Sequence, residues 1–179
     1  MVQLRVPVTP ADHVDGPANA SAVLVEYGDY ECIHCGLAHP NVAAVRKHFA
    51  TQLRFVYRHF PLTQVHPNAV PAAETAEFAG AHNRFWTMHD ALFANQARLG
   101  PGLFIRLAIA FDLPASDLQN DLIAHRFRDK VRNDFLGGVR SGVNGTPAFF
   151  INGERHDGGY ALADLTHAIE TRLSDRAVT

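Results

Sequence analysis

Apolar residues near the start of the chain predict a strand, a helix and a second strand. Residues 22–27 form an apolar, β-branched run ended by a Gly-Asp pair, which is typical of a buried central strand. From 33 to 50 the apolar residues recur at helical spacing, and 53–60 alternates as a strand until Pro61 stops it. We expect the helix to be a right-handed crossover between the two strands.

The rest of the chain predicts a block of helices followed by a hairpin and a closing helix. Between residues 62 and 142 there are helix signals and no convincing strand, with a capping box at Ser116. Residues 148–151 are predicted as a strand, an Asn-Gly pair as a hairpin turn, and 155–156 as the start of the return strand. Apolar residues at helical spacing then mark an amphipathic helix over 162–173.

Length and composition indicate a globular chain whose partners are not selected by bulk charge. The 179 residues are 47% hydrophobic and 19% charged, which suits one domain with its own core. Sixteen basic and eighteen acidic residues give a net charge of -2, so we expect neither a nucleic-acid surface nor a polybasic membrane anchor. No apolar run approaches the roughly 18 residues of a transmembrane helix, so we expect no membrane insertion. The first 16 residues lack the continuous apolar stretch of a secretory signal. A cytoplasmic location is therefore expected, or a periplasmic or secreted one if a leader has been removed.

The two cysteines of the chain are the main chemical signal. Cys32 and Cys35 form a C-x-x-C motif that follows the buried strand and opens the predicted helix. Unpaired backbone N–H groups and the helix dipole favour a thiolate at Cys32, which makes it the expected nucleophile. Cys35 lies one turn further along the helix, where it can attack a mixed disulfide and release the substrate. The motif predicts a redox pair.

Two further residues are candidates for a role in this chemistry. His34 lies between the cysteines and can stabilise the thiolate of the reduced form, and the alternative is an ordinary exposed histidine. Glu26 lies in the middle of the buried strand and could exchange protons with Cys35. The alternative for Glu26 is a structural partner or a side chain that reaches water.

Two segments resemble the DsbA-like family of thiol:disulfide oxidoreductases. They are Val-Glu-Tyr-Gly-Asp-Tyr-Glu-Cys-Ile-His-Cys near the start and Gly-Val-Asn-Gly-Thr-Pro-Ala-Phe-Phe-Ile-Asn-Gly near the end. The resemblance implies an α/β thioredoxin fold with an inserted all-helical subdomain. Residues 1–179 would then be one thioredoxin-like domain with its insertion at about 62–142. The implied activity is disulfide exchange with protein or peptide thiols and an unidentified redox partner, with no cofactor or metal.

The resemblance also implies roles for individual residues. Cys32 is the nucleophile, Cys35 resolves the mixed disulfide, His34 tunes the redox potential, and Glu26 is the family's buried acid. These four residues all lie in or next to the first predicted strand and helix.

The Thr146-Pro147 pair directly precedes the predicted strand at 148–151. Proline statistics alone favour a trans bond that opens a strand. The resemblance instead implies a cis bond at Pro147, with Thr146 facing the disulfide and binding the substrate backbone.

The sequence also leaves alternatives to an oxidising enzyme open, and one of them follows from a difference from the family inside the C-x-x-C motif. The family's best-known periplasmic members have proline where this chain has Ile33, and a reducing cytosol favours a reductase or isomerase with the same fold. A non-catalytic peptide-binding module is another alternative. A metal-binding module could use Cys32, Cys35 and His39 as ligands. His59 is expected at the surface, as is His66 in the following loop.

Overall fold

The computed structural model describes residues 2–177, and its centre is a mixed five-stranded sheet in the order β1-β3-β2-β4-β5. The strands are β1 His13–Asp15, β2 Ala22–Gly28, β3 Leu53–His59, β4 Ala148–Ile151 and β5 Glu154–His156. The helices are α1 Ile33–Phe49, α2 Ala69–Ala81, α3 Phe85–Ala94, α4 Pro101–Ala110, α5 Ala115–Ala124, α6 Arg128–Arg140 and α7 Leu162–Ala177. The predicted α/β thioredoxin fold with a helical insertion is confirmed.

Strand pairing follows the predicted strand–helix–strand unit and adds one strand. β2 is parallel to β3 and antiparallel to β4, and β4 pairs with β5 across the Asn-Gly turn. β1 is antiparallel to the outer side of β3 and has no counterpart in the sequence-based prediction. Its three residues are all half-buried, so no alternating pattern is long enough to reveal it.

Five helices, α2 to α6, lie between β3 and β4, where the sequence predicts only helices. The prediction of a capping box at Ser116 is wrong. Helix α5 begins at Ala115 after Pro114 and has no side-chain cap, and the Ser116 hydroxyl contacts Asp117 instead. Within residues 2–177, no helix is both long and apolar enough to cross a membrane.

The two faces of the sheet carry different cores. Leu24 and Tyr57 pack in one cluster with the buried side of α1, whereas Val25 and Tyr27 pack in a second cluster on the opposite face. Alternation along β2 therefore places Glu26 on the α1 face, where the cysteines are. The fold thus buries an acid directly under the C-x-x-C helix.

Candidate active site

Cys32 and Cys35 lie where β2 passes through a short turn into α1. Cys32 is the N-cap of the helix and Cys35 belongs to its first turn. Both are free thiols, with Cys32 5% exposed and Cys35 fully buried. The more accessible sulfur is the one at the open helix end, as the sequence predicts.

The pKa of Cys32 is lowered from 9.0 to about 5. The largest cause is a hydrogen bond from the Cys35 thiol, with smaller contributions from the Thr146 side chain and from the backbone N–H groups of Cys35 and His34. Burial acts in the opposite direction and is outweighed. Cys32 is therefore a thiolate at neutral pH, which is the reactive form of a cysteine.

Cys35 has the opposite electrostatics. Burial raises its pKa well above the usual value, and the hydrogen bond to Cys32 and the charge of Glu26 raise it further. The backbone N–H of Asp29 donates to the Cys35 sulfur at 3.4 Å and only partly offsets this. Cys35 is thus held as a thiol that donates to the Cys32 thiolate.

Glu26 is the buried acid that the sequence singles out. Its side chain is on the α1 face of the central strand and the residue is 2% exposed. Burial raises its pKa from 4.5 to about 8, and the charge of Arg46 lowers it by a smaller amount. At neutral pH Glu26 therefore carries a proton inside the core, beneath the cysteines.

The Thr146-Pro147 pair lies against Cys32. The peptide bond before Pro147 is cis, as the resemblance implies. The Cys32 sulfur lies 3.4 Å from the Thr146 carbonyl oxygen, to which it can donate only in its protonated form, although the two residues are 114 positions apart. The structure thus brings Thr146 to the site, with polar groups beside the nucleophile.

The His34 side chain is exposed and contacts Tyr160, whereas the sequence analysis expects it to stabilise the Cys32 thiolate. Its Nδ1 is hydrogen-bonded to the Tyr160 hydroxyl at 2.9 Å, and Asn41 of α1 donates to the Tyr160 carbonyl at 3.1 Å. These bonds join the first part of α1 to the loop before α7. The contribution of His34 to the lowered pKa of Cys32 comes from its backbone N–H.

Gln96 holds the turn that carries Cys32, and the sequence analysis missed it. Its side-chain amide donates to the Tyr30 carbonyl at 2.9 Å and to the Cys32 carbonyl at 2.7 Å. Gln96 lies in the short 3₁₀ helix after α3, in the helical insertion. Because it is 64 residues from Cys32 in sequence, no local pattern could have identified it.

Two histidines that the sequence analysis assigns to the surface have structural partners instead. His59 is 1% exposed, and its Nε2 lies 2.8 Å from the Glu77 carboxylate. His66 is half-buried, and its Nδ1 lies 2.7 Å from the buried carboxylate of Asp29. The surface assignment is wrong for His59 because α2 of the insertion covers the end of β3 and supplies a buried carboxylate.

The proposed metal ligands do not come together. Within residues 2–177, neither cysteine belongs to a set of three potential ligands whose atoms lie within 4.8 Å of one another. The metal alternative based on Cys32, Cys35 and His39 is therefore wrong in its geometry. His39 belongs instead to a set with His89 and Asp90.

The family is given by comparison with known proteins. A family model described as thioredoxin matches residues 8–171. This chain belongs to the thioredoxin family. Oxidised BdbD from Bacillus subtilis superposes on this thioredoxin-family chain with a TM-score of 0.86 at 22% identity, covering 94% of this chain and 96% of the other. Wolbachia pipientis alpha-DsbA1 gives a TM-score of 0.84 at 22% identity over 98% and 96%. The DsbA-like resemblance is confirmed at the level of the fold.

Curated relatives of this thioredoxin-family chain are much longer proteins. A protein from Salinispora arenicola named Na(+)/H(+) antiporter NhaA 1 is 44% identical over 175 residues, which are 97% of this chain and 27% of that protein. A Herminiimonas arsenicoxydans protein named Na(+)/H(+) antiporter NhaA is 35% identical over 93% of this chain and 27% of its own length. The chain therefore spans about a quarter of these relatives.

Proposed function

We propose that this chain is a thiol:disulfide oxidoreductase that exchanges disulfides with protein or peptide thiols through Cys32 and Cys35. The observation that supports this best is the opposite shift of the two thiol pKa values, lowered to about 5 at Cys32 and raised at buried Cys35. A structural pair of cysteines needs no such difference, whereas exchange needs one thiolate to attack and one protected thiol to resolve.

In the oxidising direction the exchange has two steps. A substrate thiolate attacks the Cys32 sulfur of the Cys32–Cys35 disulfide, which forms a mixed disulfide and expels Cys35 as a thiolate that takes up a proton. A second substrate thiolate then attacks the substrate sulfur of the mixed disulfide and expels Cys32 as a thiolate. Two substrate thiols lose two electrons, and the protein disulfide gains them.

The surrounding residues have proposed roles in this cycle. Glu26 exchanges a proton with Cys35, and its pKa near 8 suits that task at neutral pH. Thr146 and Pro147 bind the extended substrate backbone beside the Cys32 sulfur. His34 tunes the potential of the pair. We also propose that residues 1–179 act as one thioredoxin-like domain with its insertion at about 62–142.

The direction of electron flow depends on the potential of the pair and on the compartment. A thiolate stabilised at Cys32 favours the reduced protein and makes the disulfide a stronger oxidant. In a reducing compartment such as the cytoplasm, glutathione would keep the pair reduced, and the same residues would reduce or isomerise substrate disulfides. In an oxidising compartment they would oxidise substrate thiols. For the longer relatives, ion transport is a property of those proteins, and our proposal concerns only the region that this chain matches.

Trapping of mixed disulfides tests the proposal. Cys35→Ser should accumulate a mixed disulfide with a peptide disulfide, because the resolving thiol is gone, and intact-protein mass spectrometry should show one added peptide. The matched variant Cys32→Ser should trap nothing, because Cys35 is buried and protonated.

Two outcomes contradict the proposal at different levels. Trapping by Cys32→Ser would reverse the roles of the two cysteines. Absence of trapping by both variants, together with no dithiol-dependent reduction of insulin by the wild type, would leave the peptide-binding module as the better description.

A further inference from the structure

Tyr57 has a buried hydroxyl group that the fold leaves unpaired. It lies in β3 and is fully buried, and among the described residues its hydroxyl oxygen has no hydrogen-bond partner. The other three tyrosines are paired: Tyr27 with Arg58, Tyr30 with His89, and Tyr160 with His34. An unsatisfied buried hydroxyl costs about 1–3 kcal/mol, so its retention needs an explanation.

The surroundings of this hydroxyl place it beside the resolving cysteine. A Cβ added at Gly28 would lie 2.7 Å from the Tyr57 hydroxyl oxygen, so the phenol rests directly on the backbone there. The next backbone N–H, that of Asp29, donates to the Cys35 sulfur. Glu26 pairs with Tyr57 in the parallel register of β2 and β3, which puts the two side chains on the same face. The phenol, the carboxyl group and the Cys35 thiol therefore share one buried region under α1.

The Tyr57 phenol is neutral and keeps its proton, so it can act as a hydrogen-bond donor. Burial raises its pKa well above the usual value, and negative charge on Tyr30, Cys35 and Glu26 raises it further. The phenol therefore keeps its proton throughout the exchange and can donate a hydrogen bond without losing that proton.

We propose that Tyr57 is a further catalytic residue, whose hydroxyl donates a hydrogen bond to the Cys35 thiolate that forms whenever the Cys32–Cys35 disulfide opens. This inference rests on the proposed oxidoreductase function. When a substrate thiolate attacks Cys32, the S–S bond breaks and its electron pair stays on Cys35. Tyr57 then stabilises that charge by hydrogen bonding, and the protonated Glu26 carboxyl supplies the proton that makes Cys35 a thiol.

The hydroxyl acts on the transition state rather than on either stable form. In the disulfide, Cys35 carries no charge, and in the dithiol it is a thiol that donates to Cys32. Negative charge develops on Cys35 only while the bond opens or closes. The Tyr57 hydroxyl is buried and unpaired in the resting protein, so it is free to bond the Cys35 sulfur when that charge develops.

Stopped-flow kinetics of Tyr57→Phe test the inference. Reduction of the protein disulfide by glutathione, and the reverse closure of the ring from the Cys32–glutathione adduct, should both slow by about 10- to 100-fold, as expected for loss of a hydrogen bond to a charged group. The equilibrium with glutathione and the thiolate titration of Cys32 at 240 nm should stay unchanged, because neither stable form loses a bond.

Tyr27→Phe is the matched control. Tyr27 is as deeply buried as Tyr57 and also loses a hydroxyl, but it lies on the opposite face of the sheet and is bonded to Arg58. The Tyr27→Phe variant loses the hydrogen bond from Arg58 but should exchange at the wild-type rate. Equal rates for wild type and Tyr57→Phe overturn the inference, and so does a shift in the equilibrium constant that accounts for the whole change in rate.

Gly28→Ala extends the test if Tyr57→Phe does not fold. The added methyl group would overlap the phenol ring, with contacts of 2.6 and 2.7 Å, and displace the hydroxyl without removing it. Exchange should again slow in both directions, and an unchanged rate overturns the inference. A wild-type protein that does not exchange with glutathione contradicts the proposed function itself, and the role of Tyr57 falls with it.

Discussion

Two buried glutamates in this protein have pKa shifts of opposite sign. Burial raises the pKa of both groups, and at Glu26 it prevails and brings the value to about 8. At Glu77 hydrogen bonds from His13 and His59 outweigh burial and hold the pKa well below its usual range. The sequence identifies Glu26 as a buried acid, but it does not distinguish Glu77 from a surface residue, because the partners of Glu77 come from distant strands.

The raised pKa of Glu26 makes stability depend on pH. Between pH 4.5 and about 8 the folded protein holds a proton that the unfolded chain releases, so the free energy of unfolding falls as pH rises, by up to about 1.4 kcal/mol per pH unit. Glu26→Gln should remove this slope and be more stable than wild type at pH 8. Urea unfolding of the disulfide forms of wild type and Glu26→Gln at pH 5, 6.5 and 8 measures how the free energy of unfolding changes with pH.

The control for this measurement is Glu170→Gln, which changes an exposed glutamate of α7 and should keep the wild-type slope. The same slope in Glu26→Gln as in wild type would show that Glu26 ionises normally in the folded protein.

At the scale of secondary structure, the sequence predicts the elements that have a pattern of their own. The C-x-x-C motif, β2 and α1 are contiguous, so the strand pattern and the cysteine spacing together place Cys32 at a helix N-terminus. β1 has three half-buried residues and no pattern. The contacts of Cys32 with Gln96 and Thr146 join segments 64 and 114 residues apart, and only the folded chain brings them together.

The 3₁₀ helix after α3 should control the nucleophile through Gln96. Its amide holds the Tyr30 and Cys32 carbonyls, and so it fixes the turn that aims the N–H groups of His34 and Cys35 at the Cys32 sulfur. Gln96→Ala should raise the pKa of Cys32 by about one unit, the equivalent of about 1.4 kcal/mol. Absorbance of the thiolate at 240 nm as a function of pH measures the change.

Gln119→Ala is the matched control, because Gln119 is an exposed residue of α5 in the same helical insertion. It should titrate as wild type does. If Gln96→Ala also titrates as wild type, the bonds of Gln96 secure the turn without affecting the thiolate.

At the scale of the whole molecule, one carboxylate joins the sheet to the helical insertion. Glu77 of α2 lies 2.9 Å from His13 Nε2 in β1 and 2.8 Å from His59 Nε2 in β3, and the Lys130 ammonium of α6 is 3.8 Å away. Lys130 also pairs with Asp134 at 2.6 Å, and Asp134 accepts the His59 backbone N–H at 3.2 Å. The sequence predicts the insertion but not this buried network. Most of its pairs join residues of different helices and strands, and the one pair within α6, Lys130 and Asp134, looks like an ordinary surface ion pair in the sequence.

Glu77→Gln should therefore weaken the attachment of the insertion to the sheet. The substitution keeps the shape of the side chain but removes the charge, and loss of charged hydrogen bonds should lower the free energy of unfolding by about 2–3 kcal/mol at pH 7.

The lowered pKa of Glu77 sets the sign of the pH dependence. Its contribution is present above the unfolded value of 4.5 and is lost progressively as pH falls toward the lower folded value, so the difference between wild type and variant should be smaller at pH 3 than at pH 7. Urea unfolding at pH 7 and at pH 3, followed by Trp86 fluorescence in the insertion, measures the difference, with Glu170→Gln as the exposed control. A difference below about 0.5 kcal/mol at pH 7, the range of ordinary surface substitutions, would mean that apolar packing alone holds the insertion on the sheet.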